Sequence, residues 1–220
     1  MSMHYLAPLF TPESIALFGA SDREDAVGGI VFRNLLSAGF KGGIYPINPK
    51  RDVVQGRDAF KSLDDVDAKV DLAVVATPAP SIPAIVEECG EHGVPMMLIL
   101  SAGFRETGRE GRKLEDRVMQ RARHYGIRIM GPNCLGIIRP DLGINLTFGN
   151  GSATPGDLAL VSQSGAICTA VLDWADENGI GFSSVVSTGI GADLDFGDYL
   201  DYLVTDHRTK AILLYIEGIS

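Results

Sequence analysis

Short apolar runs alternate with longer amphipathic stretches along most of the 220-residue chain. Residues 14–19 (SIALFG), 43–47 (GIYPI), 70–76 (VDLAVVA), 95–100 (PMMLIL) and 127–130 are apolar runs of strand length. Strands that are apolar at successive positions are buried on both faces, as in a parallel sheet covered by helices. The segments between them carry helical spacing. Ile30, Val31, Leu35 and Ala38 recur at helical intervals, residues 82–92 stop at Gly93, and residues 106–125 set Leu114, Val118 and Ala122 on one stripe before Gly126. The arginines and glutamates of that last helix read as its solvated face. The rhythm predicts an α/β fold, a Rossmann-like doubly wound parallel sheet.

Residues 139–155 interrupt this order with a Gly-, Asn-, Pro- and Ser-rich passage, which predicts a boundary between a domain over residues 1–142 and a second over residues 153–220. The rhythm then restarts. A strand is expected over 157–161, a helix over 165–177 with Ala166, Ala170, Leu172 and Trp174 as apolar positions, a strand over 182–186, a helix over 199–205 and a strand over 211–216. Three parallel strands with two helices bury too little to be comfortable alone, so the second domain reads as part of a larger one.

Composition narrows the function. With 45% hydrophobic and 21% charged residues, global disorder is excluded. Nineteen basic against 28 acidic side chains give a net charge of −9, which argues against a nucleic-acid or anionic-membrane partner. Phosphate on a ligand would have to be held by local geometry. Cys89, Cys134 and Cys168 form no CxxC pair, consistent with a reducing cytoplasm and no structural zinc. No apolar run reaches the roughly 18 residues of a membrane span, and residues 1–10 lack the basic start and apolar centre of a leader. His4, His92, His124 and His207 have neither metal-ligand spacing nor a serine or cysteine partner; they read as solvated, and no metal is expected.

The chemistry sits where strands end. The first strand runs into Gly19-Ala20-Ser21-Asp22 and then Val27-Gly28-Gly29, a tight turn before a helix whose free amides attract phosphate. The G-x-G-x-x-G fingerprint of a nicotinamide-dinucleotide fold is missing, and the second strand ends in Asn48-Pro49-Lys50 in place of a ribose-binding acid. A phosphorylated nucleotide other than NAD fits better; the alternatives are a plain helix-capping turn with a surface lysine, or an NAD oxidoreductase lacking both marks. Thr77-Pro78-Ala79-Pro80 and Ser101-Ala102-Gly103-Phe104 lie on the same expected edge, with small residues that leave room for a flat group or thin chain.

Gly131-Pro132-Asn133-Cys134-Leu135-Gly136 joins the two halves. Asn133 offers donor and acceptor; Cys134 has no histidine near it in sequence and reads better as a packed thiol than as a nucleophile. Val161-Ser162-Gln163-Ser164-Gly165-Ala166 repeats the strand, turn and helix start, either as a second phosphate nest or as an ordinary serine N-cap. Glu217 closes an apolar strand on the functional edge, where an acid could orient a histidine or simply end the strand.

Taken together, these motifs resemble the nucleoside-diphosphate-forming acyl-CoA synthetases, relatives of succinyl-CoA synthetase α subunits and ADP-forming acetyl-CoA synthetases, over essentially the whole chain. The most specific pieces are Ile129 to Gly136 and Val161 to Ala166. The resemblance implies a coenzyme A-binding first domain followed by part of a flavodoxin-like domain. It implies CoA contacts at Gly19, Ala20, Ser21 and Val27, at Lys50, at Thr77, Pro78 and Ala79, at Ser101, Ala102 and Gly103, and at Asn133 and Cys134 near the thiol end. It also implies that Ser162, Ser164 and Gly165 cradle the phosphate of a phosphohistidine that Glu217 touches. The family's histidine segment does not occur in this sequence, nor does an ATP-grasp domain. The expectation is therefore the CoA-binding part of a longer ligase, inactive alone. Its partners would be CoA and the missing C-terminal domains or a separate ATP-grasp subunit, with ATP or ADP and Mg only in the complete protein; a homo-oligomer is among the assemblies allowed. Two rivals carry the same region: an acetyl-CoA-sensing part of a protein lysine acetyltransferase, and a CoA-binding module acting only through protein contacts.

Overall fold

In the computed structural model, which describes residues 4–149 and 151–218, the first half forms one parallel sheet. Residues 1–3 of the stretch scanned for a leader, and residues 150, 219 and 220 of the second half and its approach, lie outside that description. β1 (Ser14–Phe18) and β2 (Gly43–Ile47) come first; a short hairpin, β3 (Val53–Val54) and β4 (Arg57–Asp58), stands apart; β5 (Leu72–Val75), β6 (Met96–Ile99) and β7 (Arg128–Met130) complete the sheet in the order β2-β1-β5-β6-β7. The order reverses direction between β1 and β5, the place where a doubly wound sheet opens a crevice at its carboxyl edge.

Alternation along each strand sends side chains to two different cores. Ala16, Phe18, Ala73, Val75, Met97 and Ile99 meet α3 (Ile82–Glu91) and α4 (Arg109–Tyr125), where Leu114, Val118 and Ala122 form the buried stripe that their spacing predicts. Ile15, Leu17, Leu72, Val74 and Leu98 face α1 (Ala7–Phe10) and α2 (Val27–Ala38). Each such Leu, Ile or Val contributes about 1.5–3 kcal/mol on burial. Gly39 and Gly126 close α2 and α4 at φ 84° and 71°, a conformation that glycine adopts without a Cβ penalty.

The second sheet is mixed. β8 (Gly136–Arg139) and β9 (Ile144–Asn145) pair antiparallel at one side, while β10 (Pro155–Ser162), β11 (Phe182–Ser187) and β12 (Ala211–Tyr215) are parallel; the order is β12-β10-β11-β8-β9. Periodicity predicts the parallel trio but not β8 and β9, which are too short to show a period and are separated by a tight turn at Pro140–Leu142. Residues before 153 thus supply two strands of the second sheet.

Two helices there differ from expectation. α5 (Gly165–Glu177) buries Cys168, Leu172 and Ala175, a set spaced at i, i+4 and i+7, so Ala166 and Ala170 face outward and Trp174 is 57% exposed. α6 (Phe196–Thr205) starts ahead of the expected Tyr199. Asp195 accepts from the Asp198 N–H at 3.1 Å and the Asp198 carboxylate accepts from the Asp195 N–H at 2.8 Å, a capping box that fixes the start.

One core cluster holds α1, α2 and α6 between the two sheets. The N-terminal segment fastens it: Phe10 stacks on Tyr202 with centroids 4.1 Å apart, and the Tyr5 hydroxyl donates to Asp198 at 2.6 Å. His92, His124 and His207 are exposed, as their sequence setting suggests, and His4 alone is half-buried. His4 sits 3.0 Å from Asp201 and stacks on Tyr5, while His92 bridges the Glu88 carbonyl at 2.8 Å and Asp64 at 3.2 Å. Arg139 on β8 is fully buried, 3.2 Å from Asp206, with Asp141 at 4.0 Å and the Phe10 ring 5.5 Å below its guanidinium. Among the described residues no helix is long and apolar enough to cross a membrane.

Candidate functional site

The turn after β1 is built by close approach. Gly19 has φ 88°, and a Cβ there would meet the Ala76 carbonyl and Thr77; a Cβ on Gly28 would overlap the Gly19 carbonyl oxygen, and one on Gly29 that of Arg23. The start of α2 is thereby pressed against the end of β1. Its N-cap is Ala26, which has no side chain to cap with, so the first-turn amides beside Val27 have no acceptor inside the helix. Ser21 lies ahead of this start and is not its cap; its hydroxyl accepts from the Arg23 N–H at 3.1 Å. Ala20 is buried beneath the turn.

Two side chains hold the turn from the β2 side. Asn48 donates to the Ala20 carbonyl at 2.8 Å and accepts from the Lys50 N–H at 2.9 Å, which fixes the backbone of the exposed Lys50. Gln55, at the tip of the β3–β4 hairpin with φ 47°, donates to the carbonyls of Ser21 at 2.9 Å and Gly29 at 2.8 Å. Gln55 has no place in the sequence-derived set. The signal available for it was the Val-Val-Gln-Gly-Arg-Asp pattern, a strand pair around a turn.

Hydrogen bonds then run along the carboxyl edge. Gly19 donates to Ile47 at 3.1 Å, Ala76 to Phe18 at 3.0 Å, Leu100 to Val75 at 3.0 Å and Asn133 to Ser101 at 3.1 Å, while the Ser101 hydroxyl donates to the Thr77 carbonyl at 2.6 Å. The expected loops are therefore neighbours. Pro78 and Ala102 are exposed and Ala79 is buried; a Cβ on Gly103, at φ 113°, would press on the Ala79 methyl, so the two loops touch.

Gly131–Gly136 carries this edge to the second sheet. The Gly131-Pro132 peptide is cis, and the Ile190 and Ala192 amides donate to the Pro132 and Gly131 carbonyls at 3.0 and 3.1 Å. Asn133 stands exposed at φ 55°, and lines two grooves. One, of about 570 Å³, includes Cys134, Leu135, Gly165, Ala166 and Thr169; the other, of about 550 Å³, includes Arg105, Gln163, Gly189 and Glu217. Cys134 reaches the first only with its edge, because its thiol points inward toward the Ile99 carbonyl at 3.4 Å. Burial pushes the Cys134 thiol up to about 12 and Cys168 up to about 11, so neither is a thiolate at neutral pH.

At the second helix start, both serine hydroxyls are engaged. Ser162 accepts from the Ser164 N–H at 3.0 Å and donates to its carbonyl at 2.9 Å; Ser164 caps α5 by accepting from the Ile167 N–H at 3.4 Å. The amides of Gly165 and Ala166 have no acceptor inside the helix. Gln163 spans to β12: its amide oxygen accepts from the Glu217 N–H at 2.6 Å and the Gly218 N–H at 3.1 Å, which sets Glu217 at the rim of the second groove.

Two helix starts with open first-turn amides, one after β1 and one after β10, give the chain the architecture of a two-domain α/β protein with strand-end turns at both carboxyl edges. The sequence matches the CoA binding domain over residues 13–140 and the succinyl-CoA ligase like flavodoxin domain over residues 155–220. The chain belongs to the CoA binding domain family. It is 42% identical over 219 residues to subunit alpha of ADP-forming acetate–CoA ligase I from Pyrococcus furiosus, covering 98% of this chain and 47% of the relative. It is 44% identical over 209 residues to the ADP-forming acetate–CoA ligase of Methanocaldococcus jannaschii, covering 95% of this chain and 29% of the relative. A solved acetyl-coenzyme A synthetase 1 from Ca. Korarchaeum cryptofilum, in complex with phosphate and ADP, superposes with a TM-score of 0.94 at 40% identity over 99% of this chain and 47% of that one. The chain thus spans half or less of the length of these relatives.

Proposed function

We propose that this chain is the CoA-binding portion of an ADP-forming acyl-CoA ligase. The complete protein would interconvert acyl-CoA, ADP and phosphate with acid, CoA and ATP. The observation that carries the reading is the continuity of the two carboxyl edges: Asn133 ends the line of bonds from Gly19 and lines both grooves beside Gly165 and Glu217. A thiol ester delivered along the first edge would meet a phosphoryl group held at the second.

The residues fit CoA. The close Gly19–Gly28 contact presses the start of α2 onto the end of β1, and the open amides at that start suit a diphosphate. Ser21 and Lys50 would flank the phosphates, Thr77, Pro78 and Ala79 with Ser101, Ala102 and Gly103 would border the nucleotide and pantetheine, and Asn133 would approach the thiol end, with buried Cys134 shaping the wall behind it. Around the second helix start, Ser162 and Ser164 would hold the backbone while the Gly165 and Ala166 amides bind phosphate, and Glu217 would orient a histidine from further polypeptide. ATP or ADP with Mg belongs to that same further part, a C-terminal extension or a separate subunit. β12 supports a covering partner, since as an edge strand it exposes Leu213 and Tyr215, with Ile216 just beyond. The relatives named above are ligases, which supports this reading over an acetyl-CoA sensor of an acetyltransferase.

Lys50→Ala tests the nucleotide end. If Lys50 meets the 3′-phosphate, CoA affinity falls a few-fold to about tenfold, the scale of about 1 kcal/mol for an exposed charge pair, while dephospho-CoA affinity is unchanged. Equal losses for both ligands would reject the assignment.

A further inference from the structure

The groove that contains Glu217 also contains a cation. Arg105 opens the short turn Arg105–Thr107 that follows the Ser101–Phe104 loop, and it lines this groove with Asn133 and Gln163. Its guanidinium is held on one side only. Nε donates to Glu115 Oε1 at 2.7 Å and one Nη lies 2.7 Å from the same oxygen, while the Arg105 backbone N–H donates to the other carboxylate oxygen at 3.3 Å. Glu115 is 5% exposed on α4, and a carboxylate so buried requires a partner. Arg105 satisfies it, yet its own side chain remains 40% exposed.

A guanidinium carries five N–H donors in a rigid fork, more than one carboxylate oxygen occupies. Among the described residues the second Nη has no partner. Arg105 is therefore fixed in place with an open donor edge, the arrangement that recognises an oxyanion. Gln163 of this groove is followed in sequence by Ser164 and the start of α5, and the Gly165 and Ala166 amides there, with no acceptor inside the helix, line the neighbouring groove that Asn133 shares. We infer that Arg105 is an anion-binding residue of this groove, whose open guanidinium edge takes an oxygen of a phosphate group, with Glu115 as the positioning residue behind it. The inference rests on the proposed phosphate-handling role of the second edge and adds to it a ligand from the first half. In a protein of net charge −9, one fixed guanidinium also counters the field that opposes phosphate entry.

The test titrates inorganic phosphate into the full chain by calorimetry, with CoA titrated separately. Arg105→Gln is expected to weaken phosphate binding about tenfold or more, the scale of a hydrogen bond to a charged group, and to leave CoA affinity unchanged. Because that substitution strands Glu115, the double variant Arg105→Gln/Glu115→Gln is the decisive companion: it removes both charges, recovers the melting temperature and keeps the phosphate defect. Arg105→Lys retains charge without the fork and falls between. Unchanged phosphate affinity in the double variant overturns the inference, as does recovery of affinity when Glu115 is also replaced, since the stranded carboxylate would then account for the loss. A wild-type chain that binds CoA but no phosphate overturns it while leaving the CoA reading intact; binding of neither overturns both.

Discussion

Asp206→Ala is expected to destabilise the protein by about 3–5 kcal/mol, the cost of removing one partner from a buried ion pair. Arg139 is fully buried on β8, and Asp206, itself 8% exposed just after α6, is its nearest carboxylate at 3.2 Å. Asp141 stands 4.0 Å away and is shared with Arg208, so it cannot replace the lost charge in full. The Arg139 nitrogens make no well-directed hydrogen bond even in the intact pair, which leaves the guanidinium little else to lean on. Chemical denaturation measures the loss. Arg139→Met in the Asp206→Ala background supplies the contrast: with the buried charge gone and similar volume in place, much of the stability returns. If Asp206→Ala costs less than about 1 kcal/mol, comparable to an exposed pair, the pair does not act as a buried ion pair.

Gly28→Ala carries the second large effect, and it falls on function as well as stability. The added methyl overlaps the Gly19 carbonyl oxygen, a backbone atom that cannot swing aside. The start of α2 must move off β1, at a cost of about 1–3 kcal/mol for overpacking. The same displacement shifts the first-turn amides and breaks the bridge from Gln55 to Ser21 and Gly29. CoA affinity is expected to fall more than tenfold in protein that still melts cooperatively. Gly39→Ala, at a site with nothing within 4 Å but with φ 84°, is the control: it strains the backbone yet leaves CoA affinity near wild type. Equal CoA losses in the two variants would separate the cradle from the ligand.

These two sites differ in how far the sequence revealed them. The Gly-Gly pair at 28–29 and the strand runs were legible because close packing and burial restrict residue type at every position, and the doubly wound sheet follows from that restriction. Arg139 was not legible: a single arginine after Ile137-Ile138 looks like the polar end of a strand, and only the antiparallel pairings of β8 with β11 and of Arg139 with Ile144 on β9 put it inside the second sheet. Trp174 misled for the converse reason. A large apolar side chain on an amphipathic helix is assigned to the core, yet the stripe of α5 is decided by Cys168, Leu172 and Ala175, and Trp174 falls outside it. Gln55 bonds to Ser21 and Gly29 from the far side of β2, and Arg105 shares a groove with Asn133 and Gln163; such juxtapositions leave no periodic trace.

The acidic composition, by contrast, gains a structural meaning. Under the proposal, open amides at the starts of α2 and α5 hold phosphate with Lys50 and Arg105 as local cations, which offsets the net charge of −9.

One calorimetric titration tests the central claim most directly, with CoA in one cell and NAD in another against the full chain. Saturable binding of CoA and none of NAD is expected, because the proposed phosphate site at the start of α2 has no ribose-binding acid at the end of β2. Binding of NAD with no binding of CoA would contradict it.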